Sequence, residues 1–118
     1  MTTDAPTTTS KAFWKERLGP YQHSDNRAAL FQLTTTFALF GLVWWLMLEG
    51  LAVGWWATLL GAPVAAWLYV RLFIFQHDCG HGSFFTSRRA NDLVGFWLGV
   101  LTLTPYHYWK RSHAIHHG

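Results

Sequence analysis

Two long apolar stretches dominate the chain. Residues 28–48 and 51–70 contain no side chain that is charged at neutral pH, and their apolar positions are bunched rather than periodic. A helix rises about 1.5 Å per residue, so each stretch is long enough to cross the roughly 30 Å hydrocarbon core of a membrane. Because a helix satisfies its own backbone hydrogen bonds in lipid, the pattern predicts two membrane-spanning helices, at about residues 28–48 and 52–75.

The connection between these stretches predicts a helical hairpin. Residues 49–54 are few and contain glycine, so the two helices are expected to pack antiparallel. Gly61 and Ala65 would let the two backbones approach closely. Arg71 lies near the end of the second apolar run, where a long side chain can snorkel to the membrane surface. We expect the same helix to continue beyond the membrane.

A third apolar stretch, residues 93–105, is shorter. As a helix it would extend only about 20 Å, which is too short to span the membrane. We expect it to be re-entrant, interfacial or buried against the protein. The segments before and after it then lie on one side of the membrane.

The first 27 residues have a different character. Residues 1–10 are rich in threonine and lack apolar periodicity, which predicts a disordered tail. Residues 11–21 mix aromatic with basic side chains, which is typical of a short helix at the headgroup level and equally of a juxtamembrane linker. We therefore place a boundary at about residue 28, with residues 1–27 as a cytoplasmic tail and interfacial segment.

Composition supports a membrane protein. The chain has 118 residues, enough for at most one small domain, and is 51% hydrophobic but only 13% charged. Its single cysteine, Cys79, permits no internal disulfide and is expected in a reduced compartment. The first apolar run begins too late and is too long for a cleavable signal peptide.

The basic side chains flank the apolar stretches. Before the first stretch lie Lys11, Lys15, Arg17 and Arg27, and after the second lie Arg71, Arg88, Arg89, Lys110 and Arg111. Only Glu49 lies between them. By the positive-inside rule, the N-terminus and everything after residue 70 are cytoplasmic. These charges form no continuous basic surface, so we expect them to contact lipid headgroups rather than nucleic acid. Docking of an acidic electron donor is the alternative for Arg88, Arg89, Lys110 and Arg111.

Five of the seven histidines form two clusters. In HDCGH, His77 and His81 are four residues apart and share one helical face. In HAIHH, His113, His116 and His117 are spaced i, i+3 and i+4, again on one face. Neutral imidazole is the commonest metal ligand, and this spacing directs several ring nitrogens to one point. The two clusters together predict a metal site, whereas His107 is expected to be a surface histidine.

Imidazole ligands alone do not select the metal, since zinc, copper, iron and nickel all accept them. HDCGH lacks the glutamate of a zinc hydrolase, and the chain lacks the Glu-x-x-His motif of soluble di-iron bundles. An all-histidine iron site in a membrane protein is therefore favoured. Asp78 is a candidate to orient the neighbouring imidazole, with a surface or helix-capping role as the alternative.

HDCGHGSFF followed by PYHYWKRSHAIHHG resembles the membrane fatty acid desaturases, in particular the acyl-lipid delta-12 (omega-6) type. That superfamily has three histidine boxes, matched here by HxxxH at His77 and His81 and by HxxHH at His113, His116 and His117. The resemblance covers residues 28–118. It implies an all-α membrane protein with a two-helix transmembrane hairpin and cytoplasmic helices that carry the boxes, an incomplete half of a four-span desaturase domain.

The resemblance also implies a chemistry. Two iron ions held by histidines of all three boxes activate dioxygen, and a cis double bond is inserted into an acyl-lipid or acyl-thioester chain. The electrons come from a ferredoxin or a small cytochrome. Because no side chain abstracts hydrogen from an unactivated C–H bond, a redox metal is also what the chemistry requires. We expect a multi-pass protein of a bacterial cytoplasmic membrane.

Some features leave alternatives open. The third box and the second hairpin are absent from these residues, so we expect an N-terminal fragment that is inactive alone. A related di-iron hydroxylase or ketolase shares the box spacing and topology. A small two-span metal- or haem-binding membrane protein is the alternative outside this chemistry. Phe84, Phe85 and Trp109 are expected to anchor the protein at the membrane interface or to line an acyl or headgroup surface. Gly80 and Gly82 permit either close packing or a helix end.

Overall fold

The structure, a computed structural model, describes Phe13, residues 16–19 and residues 23–117. The predicted tail, most of the predicted interfacial segment, the side chain of His117 and Gly118 lie outside the described residues. Within residues 23–117, four helices follow one another: α1, Asn26–Gly50; α2, Trp55–His81; α3, Arg88–Leu101; and α4, Tyr106–His117. The residues described form no strand, which confirms the predicted all-α fold.

Helices α1 and α2 are both long and apolar enough to cross a membrane. In their most apolar windows only 11% and 22% of the residues are buried within the chain. Large apolar side chains such as Phe31, Trp45 and Leu60 therefore face outward, as they would toward lipid. The two predicted spans thus coincide with α1 and with the greater part of α2.

The two helices of the hairpin pack closely at Gly61 and are joined by two hydrogen bonds. A Cβ on Gly61 would lie 2.5 Å from Met47 Cγ, so glycine lets the two helices come together at this position. The hydroxyl of Thr58 donates to the Met47 carbonyl at 2.8 Å. Toward the other end, Arg71 Nε donates to Thr36 Oγ1 at 3.1 Å. Arg71, expected to snorkel to the surface, is therefore half-buried and links α2 to α1.

Helix α2 continues past the apolar run, as predicted, and ends at His81. Gly82 follows in the left-handed region, with φ of 72°, where glycine is favoured because it has no Cβ. The backbone N–H of Gly82 donates to the Cys79 carbonyl and that of Ser83 donates to the Asp78 carbonyl. Gly82 therefore serves as the helix end rather than as a packing position.

The third apolar stretch forms most of α3, which lies against the end of α2 that is distant from the hairpin turn. Its inner face carries Gly95, Leu98 and Gly99, all buried. Its outer face carries exposed apolar side chains such as Leu93 and Trp97. The stretch is thus packed against the protein on one side and open on the other, which agrees with the interfacial or buried alternatives and not with a span.

The connection between α2 and α3 folds back into the core. Asn91, fully buried, accepts a hydrogen bond from Phe85 N at 2.9 Å and donates to the Phe85 carbonyl at 2.7 Å. These bonds turn Phe84 and Phe85 inward, where Phe84 packs against Phe75 with ring centroids 4.9 Å apart. Both phenylalanines are buried, because the Asn91 side chain binds the backbone of Phe85 and holds this connection against α3. The expectation that they anchor the protein at the membrane interface or line a substrate surface is therefore wrong.

Helix α4 is fastened by Tyr106, which is 2% exposed. Its hydroxyl lies 3.2 Å from the Cys79 carbonyl and 3.1 Å from Asp92 Oδ1, and its single proton is shared between these two acceptors. Lys110 Nζ donates to the same carboxylate oxygen at 2.6 Å. Burial raises the pKa of Tyr106, and the hydrogen bond from Lys110 holds the pKa of Asp92 below its usual value. The first turn of α4 is thereby joined to both α2 and α3.

The close contact between Gly95 and Tyr106 gives a test of this packing. A Cβ on Gly95 would lie 2.6 Å from the Tyr106 Cζ atom and 3.0 Å from the Cys79 Cβ atom. Gly95→Ala should lower the free energy of unfolding by about 1–3 kcal/mol, as overpacking of a core does. Gly41→Ala is the matched control, since nothing lies within 4 Å of its added Cβ. It should leave stability unchanged or raise it by up to about 1 kcal/mol. Denaturation in detergent measures both, and equal stability of the two variants would contradict this packing.

The Lys110–Asp92 pair gives a second test. Lys110→Gln should speed amide hydrogen exchange across α4 by up to about fivefold at pH 7, because a partly exposed ion pair contributes less than about 1 kcal/mol. Since the folded pKa of Asp92 is lowered, this contribution is present above the ordinary carboxyl pKa and is lost as the pH falls through the lowered value. Arg111→Gln, at an exposed position of the same helix, is the control and should leave exchange unchanged. Equal exchange in the two variants would show that the ion pair does not fasten α4.

Candidate metal centre

Three histidines from two helices meet at the end of α2. His77 and His81 occupy its last turns, and His113 comes from α4. The Nε2 atom of His81 lies 3.3 Å from His77 Nε2 and 3.1 Å from His113 Nε2. One potential ligand atom from each ring lies within 4.8 Å of the other two. The two clusters of the sequence therefore meet in space through one member of HAIHH and both members of HDCGH.

The spacing of these nitrogens suits a metal ion. For metal–nitrogen distances of about 2.0–2.1 Å, two ligands separated by 90–109° lie about 2.8–3.4 Å apart. Both measured separations, 3.1 and 3.3 Å, fall in this range. Among the described residues, this group consists of imidazoles alone, so neutral ligands would leave the positive charge of a cation uncompensated by the protein. The donor set suits zinc as well as the redox metals that accept imidazole.

Asp78 contacts the face of His77 that points away from the group. Its Oδ1 lies 3.2 Å from His77 Nδ1, while Nε2 of the same ring faces His81. A proton on Nδ1 donated to this carboxylate leaves the Nε2 lone pair available for a metal. The contact is the one expected of a residue that orients a ligand, and this role of Asp78 stays a prediction.

The second cluster is only partly placed at this site. His113 is half-buried, whereas His116 is exposed and is not a member of the three-histidine group. The side chain of His117 lies outside the described residues. His107, predicted to be a surface histidine, is exposed and lies beside the ring of Phe96 at a centroid distance of 6.1 Å. The ligand roles of all five box histidines stay predictions.

Trp109 forms one wall of the site. Its indole stacks on His113 with ring centroids 4.6 Å apart and planes inclined by 16°, and its centroid lies 5.5 Å from that of His77. The ring packs against the histidines rather than pointing outward as an interfacial anchor would, and the expectation that Trp109 lines an acyl or headgroup surface stays a prediction. Its i, i+4 spacing from His113 was the available signal, since two such residues share one face of a helix.

The wall depends on Gly80, which lies between the two histidines of HDCGH. A Cβ at this position would lie 2.6 Å from Trp109 Cζ3. Gly80 therefore permits close packing, while Gly82 ends the helix. The pattern of the sequence left both roles open for both glycines, because spacing does not reveal which side chain of a distant helix approaches.

The chain is similar in sequence to known fatty acid desaturases. A family model described as fatty acid desaturase matches residues 53–118. A fatty acid desaturase of Bacillus subtilis (strain 168) is 40% identical over 102 residues, a match that covers 86% of this chain and 29% of that protein. No solved structure matches the chain.

Plant proteins match shorter stretches of the chain. An omega-3 fatty acid desaturase of the endoplasmic reticulum of Vigna radiata var. radiata is 46% identical over 55 residues, or 47% of this chain and 14% of that protein. A chloroplastic sn-2 acyl-lipid omega-3 desaturase (ferredoxin) of Helianthus annuus is 46% identical over 50 residues, or 42% and 11%. The chain spans less than a third of the length of these relatives. From the family match and the histidine pair of HDCGH beside His113, the chain belongs to the fatty acid desaturase family.

Proposed function

We propose that this chain supplies part of the catalytic domain of a fatty acid desaturase, which inserts a cis double bond into an acyl chain with dioxygen as oxidant. The observation that carries the proposal is the convergence of His77, His81 and His113 in a chain of this family. Five box histidines are the proposed ligands, with His116 and His117 added to these three. Two iron ions are the proposed cofactor, and they supply the oxidant that C–H cleavage requires.

The residues of this chain would hold and orient the metal. His77, His81 and His113 provide neutral ligands from two helices that are already packed together. Asp78 is proposed to fix the His77 ring by accepting the Nδ1 proton. Other histidines of the boxes would supply further ligands.

We also propose that the histidines face the cytoplasm. The hairpin places the start of α1 beside the loop that follows α2, because Asn26 Nδ2 donates to Thr86 Oγ1 at 2.9 Å and Thr86 N donates to Asn26 Oδ1 at 2.9 Å. The same end of the hairpin carries Arg27 and Arg88, and the opposite turn carries Glu49. This asymmetry supports a cytoplasmic position for both the N-terminus and the metal centre in a bacterial cytoplasmic membrane.

The domain is proposed to begin at about residue 28, before the segment matched by the family model. Helix α1 supports this boundary, because it packs along α2 and contributes buried Ala29 to the same core as Leu72. The proposed partners are an acyl-lipid or acyl-thioester substrate, dioxygen, membrane lipid and a ferredoxin or small cytochrome as electron donor. The name of the Helianthus relative contains the words acyl-lipid and ferredoxin. It therefore supports an acyl-lipid over an acyl-thioester substrate, and a ferredoxin over a cytochrome as electron donor.

The position of the new double bond separates two forms of this proposal. The delta-12 assignment stays a prediction, and several plant relatives are named omega-3 desaturases. Expression of the protein at the full length that its gene encodes, in a host without polyunsaturated lipids, should yield a new cis double bond detectable by mass spectrometry of the fatty acids. An added oxygen in place of a double bond would instead support a related hydroxylase or ketolase, and an unchanged lipid profile would contradict the proposal.

Metal binding tests the site itself. His81 is the central ring, so His81→Ala should lower iron affinity by about 100-fold, on the basis that four ligands of structural zinc sites share about 10–16 kcal/mol. His107→Ala is the control, because this exposed histidine lies on the same helix as His113 but outside the three-histidine group. It should bind iron like the wild type. Equal affinities of the two variants, measured in lipid nanodiscs, would show that the metal lies elsewhere.

A further inference from the structure

Trp109 contacts one histidine from each of the two helices that form the three-histidine group. It precedes His113 by four residues on α4, and its indole lies nearly parallel to the His113 imidazole, at 4.6 Å and 16°. The same indole approaches His77 at 5.5 Å and meets Phe73 edge-on at 5.9 Å. Phe73 lies one turn before His77 on α2. The indole is therefore inserted between the two helices that provide the ligands and touches one ligand of each.

Gly80 leaves room for the indole because it has no side chain. A Cβ on this residue would lie 2.6 Å from Trp109 Cζ3, 3.4 Å from Cη2 and 3.6 Å from Cε3, so the whole benzene edge of the indole rests on the glycine. Because Gly80 lies within helix α2, a backbone shift that relieved the clash between an added Cβ and the indole would also move His77 and His81. The small residue within HDCGH and the large residue before HAIHH are therefore complementary in shape.

The stack also limits how His113 can turn. An imidazole that lies flat against a half-buried indole loses contact if it rotates about its Cβ–Cγ bond, so the stacked orientation is favoured. In that orientation, His113 Nε2 lies 3.1 Å from His81 Nε2. Simple filling of space would need an apolar side chain at position 109 but not a flat aromatic face parallel to the ligand.

We propose that Trp109 is a positioning residue for the metal centre, which sets the orientation of His113 and is itself held by Gly80. This inference rests on the proposed metal-binding function. Trp109 does not ligate the metal. Its effect is on the affinity for the ion and on the geometry of the ligand set.

The test uses Co(II) as a spectroscopic probe of the full-length protein in lipid nanodiscs. Trp109→Leu keeps an apolar side chain but removes the flat face, and should weaken Co(II) binding by roughly tenfold, the lower end of the range seen for residues that orient metal ligands. Its Co(II) absorption bands at saturating metal should differ from those of the wild type, because the ligand geometry is altered. Trp109→Phe keeps a ring against His113 and should restore both properties to within about threefold of the wild type.

Gly80→Ala tests the same contact from the opposite side. The added Cβ displaces the indole, so this variant should resemble Trp109→Leu. In the Trp109→Phe background the same change should have little further effect, because a phenyl ring has no atom at the position of Cζ3. Trp97→Phe is the control, since this tryptophan is 60% exposed on α3 and should bind Co(II) normally. Circular dichroism of each variant verifies that the helices form.

The outcomes separate the two proposals. Absence of Co(II) binding by the wild type would overturn the metal-binding function and this inference with it. Normal binding by the wild type, together with Trp109→Leu affinity within twofold and an unchanged spectrum, would overturn the positioning role alone. Should Gly80→Ala fail to fold, the comparison of Trp109→Leu with Trp109→Phe decides the matter, because the two differ in the aromatic face.

Discussion

The docking of α4 across the end of α2 is the contact on which the candidate metal centre depends. Tyr106 is buried at the first turn of α4, with its hydroxyl against the Cys79 carbonyl between His77 and His81. Gly95 leaves space for the phenol ring. Trp109 and His113, three and seven residues further along the helix, then lie against Gly80 and His81. The histidine of one cluster reaches those of the other because its helix is fastened seven residues earlier.

The membrane-spanning hairpin supplies the fixed frame for this docking. Helix α2 passes without interruption from the hairpin turn to His81, so the positions of its two histidines follow from the length of one helix. Its contacts with α1, through Gly61 near the turn and Arg71 near the other end, hold that helix against its partner. Helix α3 then covers the end of α2 with its glycine face, and its exposed apolar face remains available to lipid. The metal centre is thus built where the spanning helix extends past the apolar region.

The structural features that depend on neighbouring residues in the sequence could be predicted. The two spans follow from apolar length, and the pairing of His77 with His81 follows from helical periodicity. The meeting of His81 with His113 is different, because it joins residues that are 32 positions apart. It depends on Asn91, which turns the chain inward after α2, and on Gly95, which admits Tyr106. Neither residue carries a signal of its own in a single sequence.

The aromatic residues near the boxes show the same division. Phe84, Phe85 and Trp109 have the composition of an interfacial belt, and their true surroundings depend on the side chains brought in by α3 and α4. The sequence of a histidine box likewise does not show how many of its histidines lie at the same metal site. In HAIHH, His113 joins the group while His116 lies at the exposed surface of the same helix.

The central claim is that histidines from both clusters ligate the same metal centre. Iron K-edge X-ray absorption of the iron-loaded protein in lipid measures this most directly, because imidazole rings give a distinct multiple-scattering pattern. The account predicts scattering from several imidazoles per iron, reduced in His113→Ala as well as in His77→Ala. Iron surrounded by oxygen ligands alone, or a pattern that responds to one cluster and not to the other, would contradict it.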